Sequence, residues 1–565
     1  MAVAPVEGVV VGGSLETGVK VKMVRGTSED VSVGGLFVAE GLKRRYLLLV
    51  TNIAHMDEEL ASRLAAVNGA KNYIEYLRSN TLRTVFSAVV VGQEEDGLVE
   101  GAKTIPDYLS RVRKASEKEV ALFYGEFKPE EEEQGLKMII GTPIGAEGLI
   151  PIDPGSLVLT SFAIYGKSGT GKTVLGNMIA LAIAVRSYAS RLGLIGEPPT
   201  QLLILDMHSE YGYYVRDKYG NPMERGFAGI VGNDSVVYTP DEEFIEELEE
   251  MHGRGMVKPL KIYAGSIEPE DLLLMSRMFG LTEYQQTVLW SIAARIRQAV
   301  EKGVRGLAGP RLEKKPWITC LYDEELLEAL IKTKEFEDRE IPTLRSLHRK
   351  FRMLSRYGFL EEVEGYDSIG EIVEELVSPT GRRHIVVSFG KYGNDALAYM
   401  LITNMIARRL WEEAERRLGE GFGKRIVIYV EEAHKFLDPR LRENSPMGRI
   451  ARELRKRGVV LCIVDQTPSQ IDPDVRGMTW NVFTSMLGDD RDIEASSINL
   501  PQSRLFKPIL RTLDKQHFLA FGSVYRFPVV FRTVDYREYV ARVSRILNKL
   551  KARKLKEEMD ISDEL

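Results

Sequence analysis

The sequence predicts an α/β protein: an open, parallel-type sheet with a phosphate-binding loop, a small β-barrel before it and a helical insertion within it. Three observations predict this. An apolar run over 162–165 leads through Gly166-Lys167-Ser168-Gly169-Thr170-Gly171-Lys172-Thr173 into a helical pattern that continues to 180. That is the strand–loop–helix context a G-x-x-x-x-G-K-[ST] match requires. Uninterrupted apolar runs at 201–205 and 426–430 have the character of strands buried on both faces of a parallel sheet. The first 92 residues are short β-rich segments divided by turn residues.

At 565 residues the chain exceeds one ordinary domain. A hydrophobic content of 44% with 28% charged residues describes a globular protein with ample core. No apolar run reaches the ~20 residues of a membrane span. The opening MAVAPVEGVVVGG lacks a basic segment followed by a signal-type apolar one, so a cytoplasmic location and no membrane are expected. Two cysteines, Cys320 and Cys462, form neither a disulfide framework nor a metal-binding pair motif. The net charge of −6 excludes a surface coated in positive charge, but basic residues confined to a channel remain compatible with nucleic acid.

In chain order, residues 1–92 carry VEGVVVGG, GVKVKMV, VSVGGLFVAEG, RRYLLLVTNIAH and TVFSAVVVGQ, with Gly12, Gly13, Gly34 and Gly35 placed for barrel bends. ASRLAAVNGAKNYIEYLR, within the same range, has a helical pattern. With no catalytic constellation, this domain is expected to serve assembly or docking. Residues 93–152 are a connector and the start of the core, including a solvated acidic loop at Glu130 to Glu133.

The first part of the core, 153–240, holds the phosphate loop. Its glycines let successive N–H groups curl toward one anion, and the following helix offers its positive end. Gly166, Ser168, Gly169, Thr170, Gly171, Lys172, Thr173 and Val174 are the expected phosphate-binding set. Lys172 reaches the β- and γ-phosphates, and the Thr173 hydroxyl is placed for magnesium. The strand at 201–205 then exits through Asp206-Met207-His208-Ser209-Glu210. Asp206, His208 and Glu210 sit where open sheets place ligands and are candidates to touch magnesium, water or nucleotide; a solvated strand exit is the alternative.

Residues 241–380 are mostly helical and read as an insertion. Arg345, His348, Arg349, Lys350 and Arg352 form a basic cluster within it, either facing DNA or forming a solvated helix face. The core resumes over 381–535. The strand at 426–430 delivers Glu431 and Glu432. Phosphoryl-transfer ATPases need one acid near magnesium and one to orient the attacking water, and Glu431 suits the first role, Glu432 the second. A basic helix over 448–458 carries Arg452, Arg455 and Arg457, candidates to reach a neighbouring subunit's nucleotide; helix-surface ion pairs are the alternative. The strand at 459–464 ends at Asp465-Gln466, placing Gln466 to sense the γ-phosphate. Residues 536–565 form a charged helical tail.

Taken together, GKSGTGKT, LDMHSEY, YVEEAHKF, RELRKRGVV and DQTPSQIDPDV resemble the HerA family of FtsK-like hexameric ATPases, in matching order and spacing over essentially the whole chain. The resemblance implies a RecA/FtsK-like core, a HAS-type barrel at the amino terminus, ATP and Mg2+ as cofactors, a homo-hexamer, double-stranded DNA and a NurA-type nuclease partner in end resection. By matching positions it implies Lys172 and Thr173 on phosphate and magnesium, Glu431 and Glu432 as the acidic pair, and Gln466 as sensor. Arg455 is the implied finger acting in trans. Where the family often has an Arg-His pair before the phosphate-loop strand, this chain has Thr160-Ser161. Two other readings stand beside a DNA translocase: a nucleotide-gated platform that recruits a nuclease or effector, and a coupling ATPase of the conjugation and secretion type.

Overall fold

The computed structural model describes residues 7–55, 84–217, 219–301, 312, 314–365, 367–417, 420–441 and 445–563. The helix expected within residues 61–78 lies outside these. The chain divides into two compact units, residues 1–199 with 461–565 and residues 200–460.

The first unit opens with seven strands: β1 (Gly8–Ser14), β2 (Gly18–Met23), β3 (Leu36–Glu40), β4 (Arg45–His55), β5 (Thr84–Glu95), β6 (Leu98–Gly101) and β7 (Arg111–Lys114). Their order is β2-β1-β7-β3-β4-β5, and β2 also pairs with β5, so six strands close on themselves while β6 extends β5. Closure follows from the alternation legible in the sequence. Val19, Val21, Phe37, Leu48, Phe86 and Val112 face one interior and are buried there. The sheet runs through β7 to Lys114, past residue 92. Within β1, opposite Val19, Gly13 has φ +134°, and a Cβ there would strike the Gly18 carbonyl oxygen and Val19 Cα.

The same unit contains the phosphate-loop sheet. Strands Val459–Asp465, Phe162–Tyr165 and Asn481–Thr484 are parallel neighbours. Antiparallel strands His517–Phe521, Val529–Thr533, Met138–Pro143 and Ile150–Ile152 continue it. Helix Lys172–Arg191 is long and apolar enough to cross a bilayer, yet 78% of its apolar window is buried within the fold, which makes it a core helix. The tail helix Tyr536–Asp563 fastens to it through Tyr539 Oη, which donates to the Met178 carbonyl at 2.8 Å.

The second unit is a five-stranded, all-parallel sheet in the order Val257–Pro259, Ser235–Thr239, His384–Ser388, Thr200–Asp206, Arg425–Glu431. The last two strands are buried almost throughout, as their unbroken apolar runs require. Strand Val257–Pro259 falls inside the range expected to be helical. With three residues and a terminal proline it is an edge strand too short to show a period. Most of 269–377 is helical, with Leu289, Ile296, Leu344, Leu347 and Phe351 buried. The basic segment after Ser445 is helical only to Glu453, tightens into a 3-10 turn over Leu454–Arg457 and ends at Gly458 in the left-handed conformation.

Candidate functional site

In the first unit the phosphate loop is pinned on both sides. The Gly166 N–H donates to the Asp465 carbonyl at 3.3 Å, and the Lys167 N–H to that of Met486 at 3.1 Å. Thr170 is buried, its hydroxyl donating to the Lys167 carbonyl at 2.8 Å. Gly166, Gly169 and Gly171 have φ of +152°, +72° and +102°. A Cβ on Gly166 would lie 2.8 Å from Thr170 Oγ1 and 2.9 Å from Ser485 Cβ, so glycine is required there by space as well as by backbone. Ser168 and Gly169 form the exposed tip, while Gly171 caps helix Lys172–Arg191. The first N–H groups of that helix, those of Lys172, Thr173 and Val174, have no carbonyl behind them in the helix and suit an anion. Lys172 Nζ donates to the carbonyls of Gly166 at 2.8 Å and Lys167 at 3.0 Å, so its ammonium lies along the loop.

Gln466, half-buried, follows the strand beside the phosphate-loop strand, in register with Asp465 opposite Tyr165. Thr160 and Ser161 hold neutral structural bonds. Ser161 Oγ accepts from the Leu461 N–H at 3.1 Å, and Thr160 Oγ1 accepts from Asn481 Nδ2 at 3.3 Å.

The second unit brings the acids together at the carboxyl ends of two adjacent strands, where Leu205 pairs with Val430 and Asp206 and Glu431 follow. Asp206 is fully buried. Its Oδ1 accepts from the Glu210 N–H at 2.9 Å, and its Oδ2 from the N–H groups of Tyr211 at 3.1 Å and Gly212 at 2.7 Å and from Ser388 Oγ at 3.3 Å. Both oxygens are thus taken up in shaping the turn. Burial pushes its carboxyl up to about 7, against the lowering effect of those N–H groups. The turn leaves His208 exposed and Glu210 half-buried.

Glu431 is buried, with Oε2 accepting from the His208 N–H at 3.4 Å. Burial, and next the charges of Asp206 and Glu210, raise its carboxyl well above the ordinary value. The next residue, Glu432, has φ +48°, an uncommon conformation for a residue with a Cβ. The chain therefore turns sharply at the strand end, and the Glu432 carboxylate lies 3.7 Å from His434 Nδ1. Tyr399, on helix Ala396–Arg416, donates its hydroxyl to the Glu431 carbonyl at 2.7 Å and fixes that turn from behind.

Of the three arginines, Arg457 is held by the Ala414 carbonyl and Glu415, and Arg452 is half-buried. Arg455 is exposed and forms no ion pair among the described residues. In the basic cluster, His348 turns inward to the Leu321 carbonyl, Lys350 bonds the Gly280 carbonyl and Gln285, and Arg345 pairs with Glu328. Only Arg349 and Arg352 are left exposed without ion pairs among the described residues. Sequence reasoning missed Ser388, Tyr399 and the segment around Gln516 that abuts the phosphate loop. Each acts across a large sequence separation, with no local pattern to reveal it.

Residues 138–410 match the family described as Helicase HerA, central domain. That span contains the phosphate loop and Asp206; Glu431, Arg455 and Gln466 lie beyond it. The chain is 23% identical over 481 residues to the DNA double-strand break repair helicase HerA of Pyrococcus furiosus, covering 78% of this chain and 77% of the relative. A 59-residue stretch is 48% identical to the probable DNA double-strand break repair helicase HerA of Methanocaldococcus jannaschii, 10% of this chain and 12% of that one. The solved structure of VirB4 of Thermoanaerobacter pseudethanolicus aligns with 70% of this chain and 96% of its own, at 15% identity and a TM-score of 0.44.

Proposed function

Because this chain is a member of the HerA family and an ATP-hydrolysing enzyme, we propose that it is a double-stranded DNA translocase. In this reading it works as a homo-hexamer in DNA end resection and double-strand break repair, together with a NurA-type nuclease. The repair role follows relatives named as DNA double-strand break repair helicases. The observation that carries the catalytic part is the acid pair: one carboxylate buried at a strand end, the next residue swung out on a left-handed turn.

Each half of the machinery has its own task. Lys172 and the N–H groups of Ser168, Gly169 and Gly171 to Val174 bind the phosphates, Gly166 and Thr170 shape the loop, and the Thr173 hydroxyl would hold magnesium. Thr173 and Glu431 are hard oxygen donors, the class magnesium takes. Beside Glu431 a divalent cation would offset the repulsion from Asp206 and Glu210 that, after burial, raises its carboxyl. Magnesium, when bound, would neutralise charge developing on the phosphates. Glu432 orients the attacking water and accepts its proton, with His434 beside it. His208 and Glu210 line the turn after Asp206, Gln466 reports the γ-phosphate, and Arg455, exposed and without an ion pair among the described residues, is the finger offered to a neighbouring subunit.

Glu432→Gln tests this assignment. Removing the proton acceptor should lower turnover about a hundredfold or more, abolish movement along duplex DNA and leave ATP binding within about twofold, within the scatter of a surface substitution. Turnover close to that of the unaltered protein would remove Glu432 from the mechanism.

A further inference from the structure

The segment Asp514 to His517 lies against the phosphate loop, and nothing in the loop motif calls for it. The Gln516 N–H donates to the Thr170 carbonyl at 2.8 Å, while its own carbonyl accepts from the Thr533 N–H at 2.9 Å. Gln516 is held at φ +60°, an uncommon conformation for a residue with a Cβ, so the fold maintains this strap at a cost. The fit is close: Gln516 Cγ would be 3.2 Å from a Cβ on Gly171, so a side chain there would press against the strap. The Lys515 carbonyl accepts from His517 Nδ1 at 2.9 Å, a further bond within the strap.

Lys515 itself is exposed, and its Nζ lies 4.0 Å from where a Cβ on Gly169 would stand, at the tip of the loop. Nearby cations of the same segment are neutralised. Lys507 and Arg511 both pair with Asp490. Lys515 forms no ion pair among the described residues. An ammonium with no ion pair among the described residues thus lies beside the tip of the phosphate loop, on a strained strap bonded directly to the loop backbone. A solvated surface lysine needs neither the strap nor the strain.

We propose that Lys515 is a phosphate-binding residue, a second cation besides Lys172 that contacts the nucleotide polyphosphate from the outer side of the loop. The inference rests on the phosphate-loop reading and deepens it. Flexible and exposed, Lys515 folds over the phosphates once they are bound and contributes one charge-assisted hydrogen bond. Because the contact is partly solvated, its effect weakens as salt rises.

The test is isothermal titration of the full chain with MgATP and with MgADP, comparing the unaltered protein with Lys515→Met, Lys515→Arg and Lys172→Ala. Loss of a charge-assisted bond at an exposed position should raise the Kd for Lys515→Met about tenfold. Lys515→Arg should restore it to within about threefold, since the charge is retained. An unchanged Kd in Lys515→Met, with binding lost in Lys172→Ala, overturns this inference and leaves the phosphate loop standing. A loss that Lys515→Arg does not rescue, with equal fall in melting temperature for both variants, assigns the lysine to packing of the strap and also overturns it. If the unaltered protein binds neither nucleotide, the phosphate-loop reading fails and this inference with it.

Discussion

Tyr399→Phe tests the bond that holds the turn between Glu431 and Glu432. The ring is fully buried and packed edge-on against Phe389 at 4.9 Å and Phe436 at 5.4 Å, contacts that phenylalanine keeps. What disappears is the 2.7 Å bond from the hydroxyl to the Glu431 carbonyl. A buried carbonyl left without its donor costs about 1–3 kcal/mol, which lowers the melting temperature by a few degrees in a chain of this size. The larger consequence is local. The freed carbonyl belongs to the peptide that joins Glu431 to Glu432, where φ is held at +48°. Without the tyrosine the peptide relaxes, and Glu432 shifts relative to the water it is proposed to orient. Displacements of about 1 Å at a reacting group cost up to about a hundredfold in rate, so kcat should fall at least about tenfold. The phosphate loop is untouched, and Kd for MgATP should stay within about twofold, as for distant substitutions. Thermal melts, nucleotide titration and steady-state hydrolysis on one preparation give all three values. A variant that is destabilised as expected yet keeps its kcat would refute the claim that this bond positions Glu432.

Two further outcomes follow from the same geometry. In the folded protein Asp206 is pushed up to about 7, so the fold favours its protonated form. Its contribution to stability is fully present below the unfolded carboxylate value of about 4 and is lost as pH rises through the folded value. The stability lost in Asp206→Asn should therefore shrink between pH 5 and pH 8 in chemical melts, and a loss that grows with pH contradicts the burial argument. Arg455→Ala, at an exposed position, should change stability by no more than about 0.5 kcal/mol while lowering turnover about a thousandfold if the residue completes a neighbour's site; unaltered turnover removes it as the finger.

The phosphate loop was legible because its requirements are local: glycines at positive φ, a strand before and a helix after. The strands that present Asp206 and Glu431 were legible because burial on both faces leaves an unbroken apolar run. The barrel showed itself through alternation. What stayed hidden depends on partners far along the chain. That Asp206 serves its own turn requires knowing that Ser388 and the 210–212 backbone fold onto it. That Tyr399 holds the Glu431 carbonyl, and that Gln516 bonds Thr170, are contacts no periodicity announces. The partners within the basic cluster were hidden for the same reason. Its charges are adjacent in sequence, yet His348, Lys350 and Arg345 are each committed to a partner. The three-residue strand Val257–Pro259 is simply too short for its pattern to be read.

The central claim, an ATP-driven motor on duplex DNA, is tested most directly by measuring ATP hydrolysis with and without linear duplex DNA while reading oligomeric mass on the same sample. The account predicts turnover that rises with duplex DNA in a species of hexameric mass. A monomer without turnover, or a hexamer whose turnover is indifferent to duplex DNA, would contradict it.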